Sequence, residues 1–294
     1  MIINSVIAQG GIQPSGTKQI TTNGTHDVAG YANADVQVPT TAPAHYIEKT
    51  VDANGKLING TNIINLNGVT DIGSNVLFYA YSGLGFPANT NVDLSSLTTI
   101  SGSSACSYMF QNCTGITSVD LSSLTTLSGQ SACRDMFSGC TGITSVDLSS
   151  LTTLSGQSAC SEMFANCTGI TSVDLSGLTT ISSFFACGYM FYGCTGLTSV
   201  DFSSLTTIGE SACGYMFYRC TSLTSLSFPA LTSNSFITNR SQFDGLISGV
   251  TGCTIHFPSN LDPQSGSTVI SSLQGYPNFG GTNTVLAFDL PATE

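Results

Sequence analysis

Eleven cysteines in 294 residues are the side chains with the most chemistry to offer. Ten of them fall into two columns. Cys106, Cys133, Cys160, Cys187 and Cys213 recur at steps of 27, 27, 27 and 26 residues, and each is followed seven residues later by Cys113, Cys140, Cys167, Cys194 and Cys220. A zinc site asks for short C-x2–4-C pairs converging on one point, whereas seven residues along a helix span about 10 Å. That distance also forbids a disulfide within one unit. Between successive units a disulfide is within reach under oxidation. In the earliest unit Leu77 and Leu84 take the cysteine positions, as they would if the thiols are small apolar fillers of a core. The ten are therefore expected to be buried and reduced.

Other chemistries find less support. His26, His45 and His256 lie outside the repeated units and keep no repeated partner. No GxxxxGK or GxGxxG leading into a helix occurs, and neither a cofactor nor catalysis is expected. A net charge of −11, with six basic residues scattered along the chain, argues against nucleic acid and anionic membranes as partners. Nor does any stretch reach the roughly 18 apolar residues of a membrane helix.

The spacing of these residues implies the elements that carry them. A period of 26 to 27 residues means a solenoid. In the unit from Ser131 to Gln157, Cys133, Met136, Phe137 and Cys140 fall at i, i+3, i+4 and i+7, which predicts a short helix. After Thr141-Gly142, the residues Ile143, Val146, Leu148, Leu151 and Leu154 read LxxLxLxxLxxL, with a short strand of a parallel sheet at its centre. The expected fold class is α/β, a solenoid of parallel strand plus short helix per coil.

These residues resemble a known family. MFxxCTxLTSVDLSSLTTI is similar to the BspA-like leucine-rich repeats of bacterial and phage surface proteins, over about residues 60 to 258. The resemblance implies adhesion or recognition rather than catalysis.

Three regions are expected: 1–46, a small β-rich N-terminal attachment module and linker; 47–258, the solenoid; and 259–294, a C-terminal cap. In residues 13–39, Ile20 and Val28 flank the hairpin signal Asn23-Gly24, and Val36 and Val38 alternate as in a strand. This segment resembles a short β module near the N-termini of phage tail-region proteins, with a cap for the solenoid as the other reading. Thr40–His45 reads as a linker. At the far end Cys253–Phe257 reads as one more strand, and TVLAFDL as a closing strand. The FGGTNT and HFPSN phrases resemble the ends of phage-encoded family members. Met1–Ala8 lacks the features of a signal peptide, and LPATE lacks the final Gly, apolar tail and basic stop of a sortase signal.

Two repeated features remain for function. Asp93, Asp120, Asp147, Asp174 and Asp201 sit between the two inward apolar positions of successive strands, with Asn65 before them and Ser227 after, and line the concave sheet. Like charges about 4.8 Å apart on adjacent strands repel by about 1 kcal/mol per pair in water-like dielectric. Bound calcium, a polar ligand, or splaying into solvent with raised pKa values would offset that cost. On the helical side Tyr108, Asp135, Glu162, Tyr189 and Tyr215 should point outward, with Tyr192 and Tyr218 beside them. Each feature reads either as a solvated face or as a surface for a receptor or glycan. The expected protein is a non-enzymatic virion component displayed by its N-terminal module, with other virion proteins and a host-surface protein or glycan as partners and self-association compatible. A bacterial cell-surface adhesin is the alternative.

Overall fold

A computed structural model describes strands at residues 18–19, 34–38, 45–51, 57–59 and 62–65, without their side chains, and then residues 71–75, 77–79, 81–83, 85–86, 88–232, 243–262 and 279–292. The predicted hairpin at Ile20–Val28, the greater part of the linker, and Leu84 lie outside them.

In chain order the strands are β1 (Lys18–Gln19), β2 (Ala34–Val38), β3 (His45–Val51), β4 (Leu57–Asn59), β5 (Asn62–Asn65), β6 (Thr90–Asp93), β7 (Thr99–Ile100), β8 (Ile116–Asp120) and β9 (Thr126–Leu127). They continue with β10 (Ser145–Asp147), β11 (Thr153–Leu154), β12 (Ser172–Asp174), β13 (Thr180–Ile181), β14 (Ser199–Asp201), β15 (Thr207–Ile208), β16 (Ser225–Ser227), β17 (Thr254–Pro258) and β18 (Val285–Leu290). Strands β1 to β4 form one sheet, in which β2 runs parallel to β1 and antiparallel to β3. The remaining strands, β5 to β18, pair in parallel as the coils of a β-solenoid.

The coils from β6 to β15 each contribute one strand to a sheet in the order β14-β12-β10-β8-β6-β5, with β5 at its edge, and a two-residue strand to a second in the order β15-β13-β11-β9-β7; β16, β17 and β18 form a third. Identical residues face each other across coils: Ser145, Val146 and Asp147 pair with Ser172, Val173 and Asp174, and these with Ser199, Val200 and Asp201. Alternation along a strand sends Val146 and Val173 into the core and leaves Ser and Asp outside. Threonine hydroxyls reinforce the corner before the second sheet. Thr125, Thr152, Thr179 and Thr206 donate Oγ1 to the carbonyls of Thr98, Thr125, Thr152 and Thr179 at 2.9 to 3.1 Å.

The predicted helix is absent, and this is the main correction. Apart from 3-10 conformation at Ser259–Leu261 and at Phe279, the described residues contain no helix. Where the helix was expected, residues 103–112 form a ribbon of overlapping turns. Its N–H groups alternate in direction. Cys106, Tyr108, Phe110 and Asn112 donate to Ala132, Arg134, Met136 and Ser138 of the next coil at 2.7 to 2.8 Å. Ser107, Met109, Gln111 and Cys113 donate three residues back along their own coil at 3.1 to 3.4 Å. Every fourth residue is left-handed, as at Ser104, Tyr108 and Asn112 or Ser131, Asp135 and Gly139. That is what the third position of a type II turn requires.

A helix would satisfy these N–H groups inside the coil, but a ten-residue helix is marginal in water and Ser, Gly and Cys form it poorly. The ribbon instead gives half of its N–H groups to the neighbouring coil. A four-residue period buries the same positions as the helical spacing, so Cys133, Met136, Phe137 and Cys140 are all fully buried.

Between sheet and ribbon the core is a set of columns. Phe110, Phe137, Phe164, Phe191 and Phe217 stack at 5.3 to 5.8 Å with rings 5 to 8° apart. Tyr81 begins the column, stacked on Phe110 at 5.3 Å. A second column runs from Phe202 through Phe228 and Phe257 to Phe288.

Candidate binding surfaces

All eleven cysteines are free and buried. The second column does more than fill space: Cys140, Cys167, Cys194 and Cys220 donate Sγ–H to the carbonyls of Phe110, Phe137, Phe164 and Phe191, each at 3.0 Å. Cys113 does the same to Tyr81 at 3.1 Å. Burial raises the thiols of Cys140, Cys167, Cys194 and Cys220, with Cys140 and Cys194 pushed up to about 12. In the first column Cys106 is raised well above its ordinary range by its contact with Cys133 and by burial. Burial also raises Cys160 and Cys187 far, and Cys213 to about 12. Protonated, enclosed thiols are inert as nucleophiles.

On the solvent side of the longer-stranded sheet the aspartates line up as expected. Asp93, Asp120, Asp147, Asp174 and Asp201 are partners in register on consecutive strands, with Asn65 before Asp93. Each has a local job that the spacing did not reveal. Ser95, Ser122 and Ser149 donate both their N–H (3.0 Å) and their hydroxyl (2.7 Å) to Oδ1 of the aspartate two residues earlier. Ser176 and Ser203 donate their N–H to Asp174 and Asp201 at 2.9 and 2.8 Å. These are Asx turns that close the corner after each strand. The Asp-x-Ser spelling of the repeat was the available signal. The two donors from Ser149 hold the Asp147 carboxyl below its ordinary range, opposite to the rise expected from repulsion.

Oδ1 is thus committed to the protein, and the second oxygen of Asp147, Asp174 and Asp201 has no partner among the described residues. With Ser145, Ser172, Ser199 and Ser227, these carboxylates line an open groove of about 630 Å³ floored by Val146, Val173 and Val200. Among the described residues no three His, Cys, Asp or Glu side chains gather closely enough to hold a metal ion. The carboxylates turn along their own coils instead of converging.

Beyond the groove, His256 stands beside Ser227 in register. Its Nδ1 lies 2.8 and 2.9 Å from the two carboxylate oxygens of Asp289. No hydrogen bond joins Ser227 to His256 among the described residues. Asp289, on β18, was missed because nothing in the sequence ties it to His256, 33 residues away.

The outer face carries the second set of predicted residues, at the left-handed middle position of the ribbon and not on a helix. Tyr79, Tyr108, Asp135, Glu162, Tyr189 and Tyr215 occupy it in successive coils, with φ from 54 to 59°. Tyr79 stacks on Tyr108 at 4.4 Å, Tyr189 on Tyr215 at 4.9 Å, and Tyr192 on Tyr218 at 5.3 Å. Tyr79 is exposed and the other rings are half-buried against one another, whereas Asp135, expected to point outward, is buried. Arg134 bridges the acidic middle, with Nη2 3.0 Å from Glu162 Oε1 and Nε 3.3 Å from Asp135 Oδ2. Burial, and then the charge of Glu162, nevertheless push the Asp135 carboxyl up to about 6.

A search of curated proteins finds no relative. The regular coils do match a family, described as the BspA type leucine rich repeat region, in six copies over residues 106–245. The register and core columns described above, over residues 106–232, are those of a parallel solenoid consistent with this match to leucine-rich repeats of BspA type.

Proposed function

We propose that this chain is a non-catalytic recognition protein that binds a polar ligand of the bacterial cell surface, a glycan or an exposed peptide, along its concave groove. The observation that carries the reading is the register of Ser145/Asp147, Ser172/Asp174 and Ser199/Asp201. Hydroxyls and carboxylate oxygens repeat there at the strand spacing of about 4.8 Å, on a surface whose folding role uses one oxygen of each carboxylate. Such a row accepts hydrogen bonds from ligand hydroxyls and amines and repels anions. A leucine-rich-repeat solenoid is typically a scaffold for binding, and the enclosed, protonated thiols fit that role.

The reading includes display on a phage particle through the N-terminal region, supported by the resemblance of residues 13–39 to tail-region modules and of the C-terminal phrases to phage-encoded repeats. The BspA-type repeats of residues 106–245 are equally compatible with a bacterial surface adhesin. Mass spectrometry of purified particles and of cell walls from a culture carrying the gene separates the two. The chain in particles supports the virion reading. Its presence in walls and absence from particles transfers the same groove to an adhesin.

A further inference from the structure

One coil departs from the others on the outer face, far from the concave groove. At the start of the ribbon, Ser104, Ser131, Ser158 and Ser211 hold a left-handed conformation, with φ of 49 to 53°. The coil after that of Ser158 puts Phe185 there at φ 53°. A bulky side chain is unfavourable at such an angle, and none of these other coils places one at this position. The neighbouring position, Gln157 in the coil before, is Phe184, which is 50% exposed.

Two glycines make room for the Phe185 ring. Gly188 and Gly214 stand where the preceding coil has Ser161. A Cβ on Gly188 would lie 2.2 Å from Phe185 Cδ1, and one on Gly214 would lie 3.3 Å from its Cζ. The Phe185 ring is 5.0 Å from that of Phe184 and 6.4 Å from that of Tyr189. It therefore extends the tyrosine cluster of Tyr189, Tyr192, Tyr215 and Tyr218 into a continuous aromatic patch.

We infer that this patch is a second binding site, independent of the groove, and that its ligand is a neutral saccharide. A sugar ring offers an apolar face of C–H groups that packs on an aromatic quadrupole, and a hydroxyl rim. The patch supplies the complement: two phenylalanine rings beside four tyrosines that carry hydroxyls. Charge selects the neutral class. Glu162 acts electrostatically on Tyr189 in a chain of net charge −11, which disfavours acidic sugars, and the one cation lying over these rings is Arg219, 5.2 Å from the Tyr218 ring, among the described residues.

The test uses the full chain, whose lack of tryptophan lets tyrosine fluorescence report on the patch. It is titrated with tetrasaccharides of glucose, of N-acetylglucosamine and, as the acidic counterpart, of galacturonic acid. The variant Phe184→Gln/Phe185→Ser installs the residues of the preceding coil, so it should melt no lower than the native chain. At least one neutral tetrasaccharide should bind and perturb tyrosine emission, and the variant should bind it about tenfold more weakly or not at all. Binding of the acidic sugar alone, binding unchanged in the variant, or no binding of either neutral tetrasaccharide at millimolar concentration overturns the inference. None of these outcomes bears on the groove, whose residues are untouched.

Discussion

The longer-stranded sheet and the outer ribbon repeat at the same interval and are both tied from coil to coil by main-chain hydrogen bonds, yet they treat their side chains differently. On the sheet the Ser-Val-Asp triplet is spelled identically in β10, β12 and β14. Valine must enter the core there, and the aspartate must close its own corner through the serine two residues on. On the ribbon the middle left-handed position holds tyrosine, aspartate or glutamate, because the fold asks of that residue only a backbone angle. A surface whose side chains also hold the corner stays uniform. One held by backbone alone is free to diversify, and the Phe184/Phe185 patch arises on the latter.

The largest expected effect lies in the core that the two faces share. Phe164→Ala removes a fully buried ring from the middle of its column and should cost about 3 to 5 kcal/mol, read from urea unfolding. A cost below about 1 kcal/mol would mean that the coils are not closely stacked.

The cysteine columns sharpen the contrast inside the ribbon. Cys160→Ala should cost about 1 to 2 kcal/mol. Serine should be tolerated better at Cys167, where a hydroxyl can still donate to the Phe137 carbonyl, than at Cys160, where it would be buried without that acceptor. Equal costs for Cys167→Ser and Cys160→Ser would remove the thiol hydrogen bond from the account.

A smaller effect distinguishes ribbon from helix by its sign. Ser158 sits at φ 53°, so Ser158→Gly should stabilise by about 0.5 to 1 kcal/mol once the left-handed penalty is relieved against the entropy of glycine. In a helix the same change would destabilise by a similar amount.

The two faces also respond to acid in opposite directions. Asp135 has a folded-state pKa raised to about 6, so the folded protein binds its proton first. Its contribution grows as pH falls from 7 through 6 and is lost again as pH rises through that value. Asp147 is depressed, so its contribution is present above the ordinary aspartate range and disappears as pH drops below it. Melting temperature should therefore rise modestly between pH 7 and 5, and Asp135→Asn should flatten that rise while Asp147→Asn leaves it intact. The reverse assignment would restore the charge-repulsion reading of the ladder.

These differences explain what could be read from the sequence. The solenoid, its period, the strand register and the buried positions were legible, because columns of Val146, Leu148, Phe137 and Cys140 repeat without slippage. The ribbon was not, since i, i+3, i+4 and i+7 describe a short helix and a four-residue turn period equally well. The better clue was glycine or asparagine at Asn112, Gly139, Asn166 and Gly193, the left-handed close of four successive ribbons, a position that Arg219 holds in the next. The aspartate ladder was legible as a column but not as a set of Asx turns. The Phe185 patch could be found only by placing Gly188 and Gly214 under one ring.

The groove is tested most directly by binding of the labelled full-length chain to intact bacterial cells, beside a variant carrying Asp147→Asn, Asp174→Asn and Asp201→Asn. Asparagine keeps the oxygen that closes each Asx turn, so the variant should fold. Saturable binding by the native chain and at least about tenfold weaker binding by the variant, at a closely similar melting temperature, is the predicted result. Equal binding by the two proteins would contradict the assignment of the concave groove as the recognition surface.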